Sequence, residues 1–234
     1  MISQKVENNN RSNEVVTAAP TDIDSSYRTE LIRKAIHFCS FAIPIVYFLT
    51  PKAVALGLLI PITTMFIVID IARHYSTPVE EWFYNIFGKL LRRRESDRSK
   101  KRLNGATYVL VSATLCVLIF PKLIAITSFI ILIVSDMMSA LIGRRFGKHR
   151  FLGKSLEGST AFFTSAVLII LLTPKVEYGA GEYIIGVIAA GCGAIVEALP
   201  WDVDDNLTVP LTVGAAMWTG YAVFYPLFDI YKFG

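Results

Sequence analysis

The chain alternates long apolar runs with short polar blocks, and this alternation constrains its fold more than any single motif does. A water-soluble domain of 234 residues interleaves polar and apolar positions, whereas here the hydrophobic residues, 53% of the sequence, are gathered into runs. Seven runs are long enough, or nearly so, to cross about 30 Å of hydrocarbon as helices, which takes roughly 20 residues each. They lie at about 31 to 49, 53 to 72, 105 to 120, 122 to 142, 157 to 173, 183 to 199 and 208 to 225. The expected fold is therefore all-α, a polytopic membrane protein with about seven transmembrane helices and one interfacial amphipathic helix.

The interfacial helix is expected in the loop of residues 73 to 104. There Val79, Trp82, Phe83, Ile86, Phe87, Leu90 and Leu91 recur at helical spacing opposite Glu80, Glu81, Asn85 and Lys89. Residues 1 to 27 are polar and cannot bury enough apolar surface to fold alone, so they are expected to form a disordered tail ahead of a single transmembrane domain, 28 to 234. No signal peptide is expected, since the first apolar run follows this tail and carries Arg33, Lys34 and His37 in its opening turns. Cys39, Cys116 and Cys192 fall inside apolar runs without metal-ligand spacing and read as packing residues. The net charge of +4 flanks hydrophobic helices and no nucleic-acid motif accompanies it, so lipid headgroups or a polyphosphate are the expected anions, not nucleic acid.

Loop charge sets the expected orientation. The segment at Arg28, Arg33 and Lys34, the loop of residues 73 to 104 and the loop near 143 to 156 are basic, while the loops at Pro51, Pro121 and Pro174 carry only Lys52, Lys122 and Lys175. The positive-inside rule then puts the N-terminus in the cytoplasm. It also gathers the unusual polar groups on that face: Glu30 to His37, Asn104, Asp136 to Glu157, Glu197 and Asp202 to Asn206.

Of these, the stretch from Ser135 to Phe163 combines an intramembrane carboxylate, Asp136, with a basic glycine-rich turn holding Arg144, Arg145, Lys148 and Lys154. A charge inside a spanning helix is costly and marks a site by default, and glycine-rich basic loops bind phosphate. Gly153, Lys154 and Ser155 do not form a P-loop, because Gly147 is one residue too far upstream and a membrane helix, not a strand, precedes. Ser139 or Ala140, Gly143 and Gly147 follow Asp136 at helical spacing and offer a smooth face to a partner helix or a ligand. Gly186, Ala190, Gly193 and Glu197 trace a second such face, on which Glu197 reads equally as a snorkelling charge or a site residue. Asp202 to Asn206 suits a helix start at Thr208 and Pro210, yet its three acids in four residues also suit Mg²⁺. Glu30, Arg33, Lys34 and His37 share one helix face.

Taken together, ELIRKAIH (Glu30 to His37), NGATY (Asn104 to Tyr108), SDMMSALIGRRFGKHRFLGKSLEGSTAFF and EALPWDVDDNLTVPL (Glu197 to Leu211) resemble the dolichol kinase, phytol kinase and CTP-dependent diacylglycerol kinase family, which is related to the phosphatidate cytidylyltransferases. The resemblance implies transfer of the γ-phosphoryl group of CTP, with a divalent cation, to the hydroxyl of a membrane lipid alcohol. It assigns Arg33, Lys34 and His37 to the family's RK…H element, Asp136 and Gly143 to its D…G element, Lys154, Ser155 and Gly158 to its KS..G element, and Asp205 and Asn206 to its DN..P element. The Met137-Met138-Ser139 triplet departs from the smaller residues common after that aspartate. The cytidylyltransferases usually carry SPKKTWEG-like and HGGxxDRxD-like elements, neither of which is present, so a kinase is preferred to that alternative.

On this reading Asp136, with Asp204 or Asp205, holds Mg²⁺ on the CTP phosphates. Gly143, Arg144, Arg145, Gly147, Lys148, Lys154, Ser155, Gly158 and Asn206 cradle the nucleotide, joined by Arg33 and Lys34, and Asp136, Glu157 or His37 is the candidate base. A membrane transporter or lipid-binding protein is the alternative of a different class, for which inverted repeats would speak. No clear internal repeat is present, and nothing in the sequence specifies the acceptor lipid or an oligomeric state.

Overall fold

The computed structural model describes residues 38–88, 102–228 and 230. The polar tail, Arg33, Lys34, His37 and residues Lys89 to Leu91 lie outside them. Eight helices are described: α1 Ala42–Leu49, α2 Lys52–Ala72, α3 Thr77–Phe87, α4 Gly105–Ile119, α5 Lys122–Phe146, α6 Leu156–Leu172, α7 Ala180–Ala198 and α8 Asp205–Phe224. A two-residue hairpin, β1 Arg150–Phe151 and β2 Lys154–Ser155, joins α5 to α6.

Four helices, α2, α5, α7 and α8, are long and apolar enough to cross a membrane, with 21, 25, 19 and 20 residues. The apolar α4 and α6 have 15 and 17 residues, about 22 and 26 Å at 1.5 Å per residue, short of the roughly 30 Å of a bilayer core. Of the first expected span only the eight residues of α1 form a described helix, its opening turns lying outside the described residues. Expectation and structure part at the last span. It begins at Asp205, a turn ahead of Pro210, because Asp204 caps it by accepting from the Asn206 amide at 3.0 Å. Asp205 and Asn206 are thereby first-turn helical residues, and Pro210 sits inside the helix, leaving the Asn206 carbonyl without its helical donor.

Helix α5 is the centre of the bundle, with Ile124, Ile131, Leu132 and Ile133 fully buried. It packs against α1, α6 and α8; α7 packs on α6 and α8, and α4 bridges α2 and α8. Helix α2 exposes Leu58, Ile60, Ile62, Met65 and Val68. An apolar face of that extent belongs against lipid. Helix α3 forms where the amphipathic pattern predicts it, with Pro78 in its first turn. Phe83 is buried beneath the Arg73 guanidinium, 4.5 Å from ring centroid to carbon, while Trp82 and Ile86 stay exposed.

The α5–α6 contact fixes the geometry of the site. A Cβ at Gly143 would lie 2.9 Å from Ser155 Oγ and 3.4 Å from Gly158 Cα, so only glycine lets the two backbones approach this closely. Ser155 is the N-cap of α6, its hydroxyl accepting from the Gly158 amide at 3.1 Å.

Candidate active site

Four helix ends and the hairpin converge at one end of the bundle. The hairpin turn places Leu152 at φ 50°, a left-handed conformation costing a branched residue about 1–2 kcal/mol. The strain is held because the Gly153 amide donates to the Ala198 carbonyl at 2.8 Å, and a Cβ on Gly153 would meet Pro200 at 3.0 Å. The hairpin tip is thus pinned to the end of α7, and the next residue, Lys154, is aimed into the bundle.

There the Lys154 ammonium contacts Glu197 Oε1 and lies 3.3 Å from Asp205 Oδ2. Ser139 Oγ donates to the same Glu197 oxygen at 2.8 Å. Asp136, one turn before Ser139 on α5, is 4% exposed and Glu197 2%. Burial opposes the charge on Lys154, but the carboxylates of Asp205, Glu197 and Asp136 outweigh it and hold the ammonium above its ordinary value. Three carboxylates thus face one cation. Glu197 Oε2 is buried and has no hydrogen-bond partner among the described residues, although an unpaired buried carboxylate oxygen carries a desolvation penalty of about 1–3 kcal/mol or more. The C-terminal end of α7 adds to that penalty through its partial negative charge. Strain of this kind persists where a cationic ligand or a proton has use for it.

A cleft of about 180 Å³ opens beside this cluster, bounded by Lys154, Glu197, Asp205, Tyr108, Trp201 and the ion pair of Arg102 with Asp202, Nη2 to Oδ1 at 2.9 Å. Arg102 is held from below. Its carbonyl accepts from Arg73 Nη2 at 2.8 Å, and the buried Asp70 pairs with Arg73 at 2.6 Å and accepts from the Asn104 amide at 2.6 Å. Asn104 in turn caps α4 through Thr107. NGATY therefore builds the cleft wall from behind.

The sequence-predicted site residues divide into groups. Asp136, Lys154 and Asp205 are brought together. Asp204 accepts from Asn206 Nδ2 at 2.7 Å as well as from its amide, so both residues are committed to the start of α8. Gly143, Ser155 and Gly158 pack against one another, and a Cβ on Gly147 would lie 2.8 Å from Ser155. Arg144, Arg145 and Lys148 are exposed at the mouth of the α5–β1 turn. Glu157 accepts from the His149 amide at 3.2 Å and contacts its Nδ1 at 2.8 Å, bracing the basic turn. Among the described residues no three His, Cys, Asp or Glu groups form a ready metal cluster.

Sequence reasoning missed Asp70, which sits in an apolar run, and left Glu197 undecided. The signal for both was a lone acid at the end of an apolar helix. A wider groove of about 590 Å³ runs along α5 and α6 past Met138, Ile142, Thr164 and Leu168 to His149 and Glu157.

Fold and site together define an integral membrane protein with a charged centre buried at one end of its helices. The chain is 31% identical over 182 residues to the uncharacterized protein RP860 of Rickettsia prowazekii, covering 77% of this chain and 89% of the relative, and it belongs to that protein's family. It is 27% identical over 164 residues to CTP-dependent diacylglycerol kinase 1 of Schizosaccharomyces pombe, covering 64% of this chain and 73% of the relative. With the phytol kinase of Synechocystis it shares 33% identity over 94 residues, 36% of this chain and 39% of the relative. Its named homologues are thus lipid kinases. No family model matches the chain. No solved structure matches it either.

Proposed function

We propose that the protein is a CTP-dependent lipid kinase, transferring the γ-phosphoryl group of CTP to the hydroxyl of a membrane lipid alcohol such as diacylglycerol, phytol or a polyprenol. The observation that carries this reading is Lys154 held between Glu197 and Asp205, beside Asp136, on the floor of a cleft at the end of the bundle. Phosphoryl transfer asks a protein for positioning and charge neutralisation, and this cluster supplies both signs of charge in a sheltered place.

Lys154 binds a phosphate oxygen, with Arg144, Arg145 and Lys148 contributing positive charge at the nearby turn and Arg33 and Lys34 completing it. The acceptor's chain lies in the α5–α6 groove, whose lining is almost wholly apolar. Its hydroxyl oxygen attacks the γ-phosphorus, the bond to the β-phosphate oxygen breaks and CDP leaves. The hydroxyl proton passes to Glu197 Oε2, the oxygen that Ser139 and Lys154 leave uncommitted.

Carboxylate oxygens are the donor set that Mg²⁺ prefers, and one or two beside substrate phosphates suffice, so Asp136 and Asp205 fit as its holders. When bound, the cation neutralises charge on the phosphates. The site lies on the cytoplasmic face, where nucleotides are, with seven helices crossing and the N-terminus on the same side.

Phosphate transfer from γ-labelled CTP, and separately from γ-labelled ATP, to a panel of diacylglycerol, phytol and polyprenols in detergent tests the reading, with Mg²⁺ present or chelated. Labelled lipid from CTP only in the presence of Mg²⁺ is the expected result. No labelled lipid, with CDP-diacylglycerol formed from added phosphatidate, overturns it.

A further inference from the structure

The 180 Å³ cleft has two chemically distinct ends. One is the Lys154–Asp205 floor, where the proposed function puts phosphate. The other holds the Arg102–Asp202 pair, and Tyr108 and Trp201, the residue before Asp202, also line the cleft. The volume is well below the roughly 300–1,000 Å³ of pockets that enclose a whole drug-sized ligand. It suits part of a nucleotide, with the base toward the rim and a phosphate toward the Lys154 floor.

We infer that Arg102 and Asp202 form the base-recognition site, reading the hydrogen-bonding edge of an amino-bearing pyrimidine held between Tyr108 and Trp201. This rests on the kinase reading for the direction in which the nucleotide lies. Cytosine presents an exocyclic amino group beside two acceptors, N3 and O2. A carboxylate accepts from that amino group, as acidic residues do from cytosine N4, and a guanidinium donates to the acceptors. Uracil puts a carbonyl oxygen where the amino group would be, facing the Asp202 carboxylate.

The pair is built into the fold. Arg102 Nη1 also donates to the Asp202 carbonyl at 3.3 Å, joining the segment before α4 to the loop before α8 across 100 residues of sequence. The Asp70–Arg73 pair supports Arg102 from beneath, through its carbonyl. Trp201, half exposed, stands at the cleft rim, where an aromatic face is available for stacking on a base.

Asp202→Asn tests the inference, because the side chain is 84% exposed, the Arg102 bond to the Asp202 carbonyl remains, and the amide can turn a donor toward uracil. The measurement is the ratio of kcat/KM for CTP to that for UTP in lipid phosphorylation, with ATP as a third donor. The expected result is a fall of about tenfold or more in the CTP-to-UTP ratio relative to the unsubstituted protein. Arg102→Ala is expected to raise KM for both pyrimidine nucleotides. An unchanged ratio in Asp202→Asn, in protein that phosphorylates lipid, overturns the base site and leaves the kinase reading standing. If the unsubstituted protein phosphorylates no lipid from any nucleotide, the kinase reading falls, and equilibrium binding of labelled CTP competed by UTP decides the base site alone. Selective CTP binding weakened by Asp202→Asn then upholds it, and absence of selective binding overturns it.

Discussion

Helix α7 carries a buried glutamate at each end, and the two are held in opposite ways. Glu182, in its first turn, is 1% exposed and accepts from the amides of Val176, Glu177 and Gly179 at 2.8 to 3.1 Å and from Tyr221 at 2.8 Å. It also sits at the positive end of the helix dipole. Glu197, at the far end and 2% exposed, receives Ser139 and Lys154 on one oxygen and, among the described residues, no donor on the other. Equal burial therefore conceals a saturated carboxylate that clasps a loop and an unsaturated one that lines a cleft.

The lysines nearby repeat the contrast. Lys175 is 3% exposed, donates to the carbonyls of Ile170 and Thr173 and lies 4.9 Å from the Tyr183 ring centroid. Burial holds its ammonium below the ordinary value, offset only in part by Glu182. Lys154 is shifted the other way by three carboxylates. A saturated end needs its charge only to fold, whereas an unsaturated end retains capacity for a ligand.

The largest expected effect tests the unsaturated end. Glu197→Gln should lower kcat by about 100-fold or more, the contribution of a positioned acid or base, while the melting temperature in detergent changes little. Full turnover in this variant would remove Glu197 from the chemistry. Lys154→Met strands the buried Glu197, a loss of about 3–5 kcal/mol of stability, and the double variant with Glu197→Gln should recover most of that stability but no activity. Recovery of activity as well would make the pair purely structural.

Glu182→Gln should act on stability instead, by about 1–3 kcal/mol, because the amide can no longer accept from all four donors; activity per folded molecule is expected to hold. A fall in kcat without a fall in melting temperature would break the comparison. Ser139→Ala should cost about 1 kcal/mol and reduce turnover only modestly, read from the same two assays.

The smallest effect is one of pH. A lysine whose folded pKa is raised keeps its stabilising contribution below the unfolded value near 10.4 and loses it only as pH rises through the higher folded value. Lys154 should therefore impose no alkaline loss of nucleotide affinity below about pH 10. For Lys175 the sign reverses, and its end of the bundle gains stability as pH rises from the lowered folded value toward the unfolded one. An alkaline limb near pH 8 abolished by Lys154→Met would contradict the first assignment.

Much of the fold was legible because hydrophobic run length and loop composition are local properties. Helices α2 and α4 to α8 form over the expected apolar runs, the described part of the amphipathic pattern forms α3, and the smooth face after Asp136 packs closely as its small residues allow. The start of α8 was misplaced, since Pro210 is a common first-turn marker and only the Asp204 cap shows the helix already begun. Of the carboxylates, Asp136 was legible because nothing local accounts for an acid two turns inside a spanning helix.

The sequence by itself determined that this chain belongs in a membrane, that its polar residues are confined to the ends of apolar helices, and that Asp136 and Lys154 are exceptional. Only the tertiary structure decided that Lys154 turns inward to Glu197 and Asp205, that Asp204, Asn206 and Glu157 are spent on capping and bracing, and that Arg102 meets Asp202. The reason is physical. Burial of an apolar run depends on the run itself, but whether a buried carboxylate is saturated depends on donors brought to it from distant segments, and no local pattern encodes their number.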